Sequence, residues 1–387
     1  MYREEPYTGK ELPYKSLCLT YDDGPGKDTY EIARFLFDEN IQATFFVVGK
    51  YAIENEETLE KVARLGHIIG NHTYEHPDMP YYLSRNGDIQ NQVLRTDALI
   101  KKYNKKNTIY FRSPYGKWSK EVANNLNLNL LTNIDHVGPI NWDIAGIDCF
   151  YWKKDVSIEK TAEKYLNDIE EKGRGIVVMH DEIADMNFLQ PKNKTLELTR
   201  QIIPKLKAKG YKFVRLDEIQ SIKEDAAKKL TVTLKTTFGK YLCIAGDSTI
   251  KVEQKNSNLN REFYIEDMLT GCFALSGADG RFLSIGAGEG NVVKLNAKQV
   301  TSTEKFDLVP LRSNKFLLRA DNGHFLQIQK ESGILTATAA YMRGGEIFTI
   351  LPIGLKEREK FSLKEEIKSL QRQLLYVKSK VKERISR

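Results

Sequence analysis

Over its first 224 residues the sequence alternates between two periods, and this alternation limits the available folds more than any other feature. Short apolar, β-branched runs occur at Leu17–Tyr21, Thr44–Val48, His67–Gly70, Ile109–Phe111, Gly175–Met179 and Tyr211–Leu216. Between them lie amphipathic stretches near residues 28–39, 54–65, 84–103, 157–172 and 193–208, whose spacing predicts helices. Gly66, Gly173 and Gly210 follow three of these stretches as C-caps. Strands separated by helices pair in parallel, so residues 1–224 predict an α/β domain of βα units around a parallel sheet or barrel. In such folds the chemistry gathers at the C-terminal ends of the strands.

Residues 231–353 change character. Helical periodicity gives way to short strand-like runs and glycine turns. Gly239-Lys240-Tyr241-Leu242, Gly280-Arg281-Phe282-Leu283 and Gly323-His324-Phe325-Leu326 are spaced by 41 and 43 residues. A second marker, Phe263, Phe306 and Phe348, is spaced by 43 and 42. Two markers keeping one period predict three copies of one β unit, each too small to bury a core alone. Residues 355–387 read as one basic amphipathic helix. Ser362 and Glu365 are placed as a capping box, and an apolar seam runs through Leu363, Ile367, Leu370, Leu374, Val377, Val381 and Ile385. Such a helix docks on its own chain, pairs two chains into a homo-oligomer, or lies on an anionic surface.

Charge excludes one class of function. Of 59 basic and 52 acidic side chains, 11 and 5 fall in residues 355–387, so the rest of the chain carries only one excess positive charge. The body of the chain therefore has no broad basic character, which argues against a nucleic-acid role. No apolar run is long enough for a membrane span. The N-terminus lacks the apolar core of a secretory signal. That places the chain in the cytoplasm as it stands, or outside the cell if a leader precedes this sequence. Cys18, Cys149, Cys243 and Cys272 are far apart and predict buried thiols rather than disulfides or a thiolate metal site.

Four strand ends carry residues that can do chemistry. The first is Thr20-Tyr21-Asp22-Asp23-Gly24-Pro25, where two adjacent carboxylates precede a turn; alone it is ordinary turn chemistry. The second is His72-Thr73-Tyr74-Glu75-His76, two imidazoles four apart, which share a face if this segment forms a helical turn. With Asp23 they offer two nitrogens and one oxygen to a cation, leaving an open position as catalytic zinc sites do. The third is Arg112-Ser113-Pro114-Tyr115-Gly116, a tight loop whose backbone N–H groups suit an oxyanion. The fourth is Val178-Met179-His180-Asp181, which sets an imidazole at another strand end; a buried structural histidine is the plain alternative.

In this order the motifs resemble the NodB-like polysaccharide deacetylases, carbohydrate esterase family 4, over residues 16 to about 218. The resemblance implies a distorted (β/α) barrel with its groove at the strand C-termini. It implies that Asp23, His72 and His76 hold a divalent ion, usually Zn2+, and that Asp22 is the general base. Arg112 would hold Asp22, the Tyr115 backbone N–H would meet the oxyanion, and His180 would be the general acid. Val178 would line the acetyl pocket. The family's Asp-Trp dipeptide has no clean counterpart: Asp148 is the better match for the aspartate that tunes the acid histidine, and Asp143 is the alternative. Cys149 stands in the place of the tryptophan, with Trp142 or Trp152 left to wall the groove.

The repeat segment is similar to fascin-like β-trefoils, which gives an all-β trefoil after the catalytic domain and a helix at the end. The implied substrate is an N-acetylated oligo- or polysaccharide of chitooligosaccharide or peptidoglycan type. The alternatives are an O-acetyl esterase acting on an acetylated polysaccharide, and a non-catalytic protein that binds a glycan or a filament.

Overall fold

The strand that opens the first sequence motif, β2 (Ser16–Asp22), is buried along its whole length. An apolar run of this kind is what a strand covered on both faces requires. The computed structural model describes residues 2–352 except 105–107, 128–135, 145, 186–191, 228–229, 255–257, 268–271, 287, 289, 312–314 and 342–343. The predicted helix at 355–387 lies outside the described residues. Contacts divide the chain into two units, Met1–Lys228 and Lys229–Arg387.

In the first unit β2 pairs in parallel with β3 (Thr44–Val47) and β7 (Gly175–His180), and its first residues pair with β8 (Lys212–Phe213). β4 (Ile68–Asn71) continues from β3. A second parallel group has β6 (His136–Ile140) between β1 (Tyr2–Tyr7) and β5 (Ile109–Tyr110). Single bridges from Asn71 to Phe111 and from Ile144 to Val177 join the two groups. The strands thereby close into a distorted barrel. Register sets Asp22 opposite His180 and Val47 opposite Asn71, so the motif residues share one end of it.

The helices cover the outside. Ile158–Lys172 starts at Ser157, whose hydroxyl accepts from the Lys160 N–H at 3.4 Å, and ends at Gly173 with φ 70°. Its buried residues, Thr161, Ala162, Tyr165, Leu166 and Ile169, follow the helical period and face the core built on Leu17, Leu19 and Val177. The stretch predicted as one helix over 84–103 is broken. Met79–Ser84 ends, Asn86 turns at φ 63°, and Ile89–Ile100 restarts at its cap Asp88. Three-residue turn chemistry at Asn86-Gly87-Asp88 overrides the surrounding helical pattern. Sequence periodicity also passes over β1, β6 and the helices Lys120–Asn127, Asp148–Lys153 and Gln220–Ala227. β6 contains Gly138-Pro139, which reads as a turn. Among the described residues no helix is long and apolar enough to cross a membrane.

His67 is buried between two backbone groups. Its Nδ1 accepts from the Ala43 N–H at 3.0 Å, and its Nε2 meets the Ala33 carbonyl at 2.9 Å. Burial pushes the imidazole down to about 4. All four cysteines are free, but only Cys18 and Cys243 are buried; Cys149 and Cys272 are partly exposed.

Among its described residues the second unit is all-β. Its twelve strands are β9 (Leu230–Thr236), β10 (Tyr241–Ile244), β11 (Ile250–Glu253), β12 (Phe263–Asp267), β13 (Cys272–Ser276), β14 (Phe282–Ile285), β15 (Val293–Ala297), β16 (Phe306–Pro310), β17 (Lys315–Ala320), β18 (Phe325–Ile328), β19 (Leu335–Ala339) and β20 (Phe348–Pro352). Antiparallel pairing runs β9–β12–β13–β16–β17–β20 and back to β9, a closed barrel. The hairpins β10–β11, β14–β15 and β18–β19 complete the three copies. Phe263, Phe306 and Phe348 are fully buried, as are Leu242, Leu283 and Leu326. Gly239, Gly280 and Gly323 take φ 77°, 77° and 80° in the same turn of each copy, a conformation that favours glycine.

Candidate functional site

The end of β2 sends its two carboxylates in different directions because Asp23 adopts φ 75°. Asp22 accepts from Arg112 Nη1 at 2.7 Å. Asp23 Oδ1 lies 3.1 Å from His76 Nε2 and 3.5 Å from His72 Nε2. The turn beyond has no room for a side chain, since a Cβ on Gly24 would sit 2.0 Å from Asp181 Oδ2. The two histidines converge, but not through a helical turn. They sit on a loop in which Thr73 and His76 take φ 68° and 62°. Left-handed backbone at non-glycine residues is typical of sites that the surrounding structure holds in place.

Asp23, His72 and His76 fit a divalent ion. Their ligand atoms lie within 4.8 Å of one another, and all three residues are buried. His72 Nδ1 donates to the Arg112 carbonyl at 2.8 Å, and His76 Nδ1 donates to Asp185 Oδ2 at 2.6 Å. Both Nε2 atoms thus face the same carboxylate oxygen, where a bound ion would meet them, the arrangement in which outer partners orient metal-ligating imidazoles. One oxygen and two nitrogens suit zinc. Burial pushes the Asp23 carboxyl up, but the imidazoles of His76, His180 and His72 outweigh it and hold it well below the usual carboxylate range. Burial pushes His72 down to about 4. Burial also opposes charge on His76, yet Asp23 and Asp185 bring it up to about 9.

Arg112 is fully buried. Besides Asp22, it donates to Thr20 Oγ1 at 2.7 Å, to the Ile140 carbonyl at 3.1 Å and to the Asn141 carbonyl at 3.3 Å. Its guanidinium lies 4.3 Å from the centre of the Phe46 ring. A buried cation with this many acceptors is fixed in place, and it fixes the Asp22 carboxylate in turn.

Across the cleft, His180 Nδ1 lies 2.8 Å from Asp148 Oδ1, and the His180 backbone N–H donates to Asp148 Oδ2 at 2.7 Å. Thr195 Oγ1 also donates to Asp148, at 3.2 Å. Burial pushes the His180 imidazole down, while the Asp148 carboxylate bonded to it pulls it up, leaving it well above its usual value. Burial pushes the Cys149 thiol up to about 12. Asp143 is elsewhere: it accepts from the N–H groups of Gly9 at 2.6 Å and Ile176 at 2.9 Å, at the opposite end of β7 from His180. Trp152 is buried in the core and donates to Thr195 Oγ1 at 3.2 Å, so it does not wall the groove. Trp142 is half-buried beside the Arg112 loop, where a Cβ on Gly116 would come within 2.8 Å of its ring. Val178 is buried on β7.

Tyr115 takes φ 58°, and its ring centre lies 4.6 Å from that of His76. Its hydroxyl donates to Asp185 Oδ2, the same oxygen that His76 uses. Sequence reasoning missed Asp185. The available signal was a carboxylate in the loop leaving the His180 strand, where strand-end chemistry is already expected. Asp181 was passed over as well. It accepts from Thr29 Oγ1, and burial pushes its carboxyl up to about 8.

The family model for polysaccharide deacetylase matches residues 9–133. A chitooligosaccharide deacetylase of Sinorhizobium fredii is 29% identical over 219 residues, covering 54% of this chain and 93% of that protein. A peptidoglycan-N-acetylglucosamine deacetylase of Bacillus cereus is 30% identical over 228 residues, covering 57% of this chain and 72% of the relative. A crystal structure of a peptidoglycan N-acetylglucosamine deacetylase superposes with a TM-score of 0.44 at 26% identity, over 55% of this chain and 91% of the other.

Proposed function

Because this chain belongs to the polysaccharide deacetylase family, hydrolases of N-acetyl amide bonds, we propose that it removes acetyl groups from an N-acetylglucosamine-containing glycan of chitooligosaccharide or peptidoglycan type. The observation that carries this reading is the convergence of Asp23, His72 and His76 within 4.8 Å of one another, with Asp22 on one side and His180 on the other. Asp23, His72 and His76 would hold a divalent ion, with Zn2+ best suited to their donor set. Such an ion, when bound, polarises a carbonyl and lowers the pKa of water toward about 7.

The protein groups supply the rest. Asp22, oriented by Arg112 at 2.7 Å, accepts the proton of the attacking water. The backbone N–H of Tyr115 serves as a donor to the oxyanion, an interaction typically worth about 2.7–4 kcal/mol of barrier. His180 holds a proton on Nε2 for the departing amine, because its Nδ1 is occupied by Asp148 at 2.8 Å. Without that proton the amine would leave as an unstable anion. Trp142 and the exposed rings of Tyr115 and Phe150 offer faces on which a sugar can stack.

The second unit reads as a β-trefoil of fascin-like type. That reading is supported by its closed ring of six strands, its three hairpins and the repeat of 41 to 43 residues.

The test is acetate release from chitooligosaccharides, peptidoglycan fragments and acetylated xylan, with and without a chelator. Release from the first or second substrate that the chelator abolishes supports the proposal. Release from xylan alone makes the chain an O-acetyl esterase, and release from none leaves a glycan-binding protein.

A further inference from the structure

Asp185 has no role in the sequence motifs, yet one of its oxygens joins two parts of the site. Asp185 Oδ2 accepts from His76 Nδ1 at 2.6 Å and from the Tyr115 hydroxyl. The first contact leaves His76 Nε2 facing Asp23 Oδ1 at 3.1 Å. The second ties down the Pro114–Gly116 turn, whose central residue Tyr115 holds φ 58° and packs its ring 4.6 Å from the His76 ring. Apart from this carboxylate, the ion-holding loop meets the Arg112–Gly116 segment through the His72 Nδ1 bond to the Arg112 carbonyl and the ring contact of His76 with Tyr115.

We propose that Asp185 is a positioning residue that sets the orientation and basicity of His76 as a metal ligand and, through the same oxygen, anchors the Tyr115 turn. Ion affinity and the placement of the oxyanion donor are then coupled through one carboxylate. This inference rests on the proposed function for the identity of the site, and it adds a residue that the family motifs do not contain. A carboxylate that accepts from the far nitrogen of a metal-bound imidazole fixes its tautomer and strengthens it as a donor. The Tyr115 hydroxyl acts differently: it reaches His76 only through Asp185, and the tilted ring contact survives its removal, so its loss disturbs the turn and spares the ligand.

The two contacts can be separated with the full chain. Zn2+ affinity is measured by competition with a chromophoric chelator, and the visible spectrum of the Co2+-loaded protein reports the ligand field. Asp185→Asn is expected to weaken Zn2+ binding about 10–100-fold and to shift the Co2+ bands. Asp185→Glu is expected to restore part of both. Tyr115→Phe is expected to keep wild-type Zn2+ affinity while lowering kcat at saturating metal by up to about 10²-fold, since small misplacements at a reacting centre have effects of that size. Circular dichroism of each variant checks the fold. Wild-type affinity and spectrum in Asp185→Asn overturn the proposal, as does an unchanged kcat in Tyr115→Phe. Both metal readouts are independent of acetate release. A wild-type chain that binds Zn2+ but releases no acetate therefore strikes the proposed function, while equal affinity in Asp185→Asn strikes this inference.

Discussion

Asp148 grips His180 twice, at its ring nitrogen at 2.8 Å and at its backbone N–H at 2.7 Å. The carboxylate is fully buried, so its charge acts on the imidazole with little solvent screening. It sets both the direction of the ring and its readiness to hold a proton. Replacing Asp148 with Asn keeps the shape and removes the charge. We expect kcat to fall by roughly 10²-fold. The sign of the pH effect follows from Asp148 pulling His180 up: without it the acid loses its proton earlier, so the alkaline limb of the kcat profile moves to lower pH. A profile that keeps its alkaline limb in Asp148→Asn would contradict the assignment of His180 as the acid.

The two neighbouring carboxylates of β2 should part company on substitution. Asp22 is held by Arg112, and its nearest approach to His72 Nε2 is 3.9 Å. Asp22→Asn is therefore expected to lower kcat by about 10²–10⁴-fold while metal content stays near one equivalent. Asp23→Asn should lose the metal itself. Elemental analysis of the two purified variants, set beside their acetate release, distinguishes a base from a ligand. Equal metal loss in both would remove Asp22 from the role of base.

His67 predicts how folding stability responds to acid. In the unfolded chain its pKa is about 6.5, and in the fold burial pushes it down to about 4. The unfolded state therefore binds more protons between these values, and stability falls as the pH drops through that window. The contribution is complete above about pH 6.5 and lost by about pH 4, on the order of 3 kcal/mol. Urea denaturation across this range, with an NMR titration of the His67 ring, would measure it. A ring that titrates near 6.5 in the folded protein would refute the prediction.

The repeat glycines make a comparison within one molecule. Gly239, Gly280 and Gly323 hold φ 77°, 77° and 80°, and nothing lies within 4 Å of a Cβ added to any of them. The cost of alanine is therefore that of the backbone alone, about 1–2 kcal/mol. We expect three nearly equal losses of stability by chemical denaturation. Unequal losses would mean that the three turns are not equivalent.

The parallel barrel was legible because β2, β3 and β7 are buried runs and the helix Ile158–Lys172 keeps its period. β6 was not, because Gly138-Pro139 reads locally as a turn and only its neighbours β1 and β5 make it a strand. The same distinction holds at the site. Asp22, Asp23, His72, His76, Arg112 and His180 stand in recognisable strings at strand ends. Asp148 was ranked above Asp143 from sequence only by its resemblance to the family's aspartate, since both lie in one irregular stretch; the contacts of Asp148 with His180 and of Asp143 with Gly9 separate them. Asp185 belongs to no string, and its place shows only in its contacts with His76 and Tyr115, which lie 109 and 70 residues away along the chain. The prediction that His72 and His76 meet through a helical turn reached the right pair by the wrong path. Spacing reports that two side chains are close, and left-handed residues deliver the same closeness without a helix.

Asp22 and His180 occupy matching positions on adjacent buried strands. The spacing of their backbones is thus a property of the sheet, whose strands lie about 4.8 Å apart in any protein. Loops rimming this end of the barrel can lengthen, shorten or exchange aromatic groups without altering that spacing. A lineage built on this plan can change its diet while keeping its chemistry.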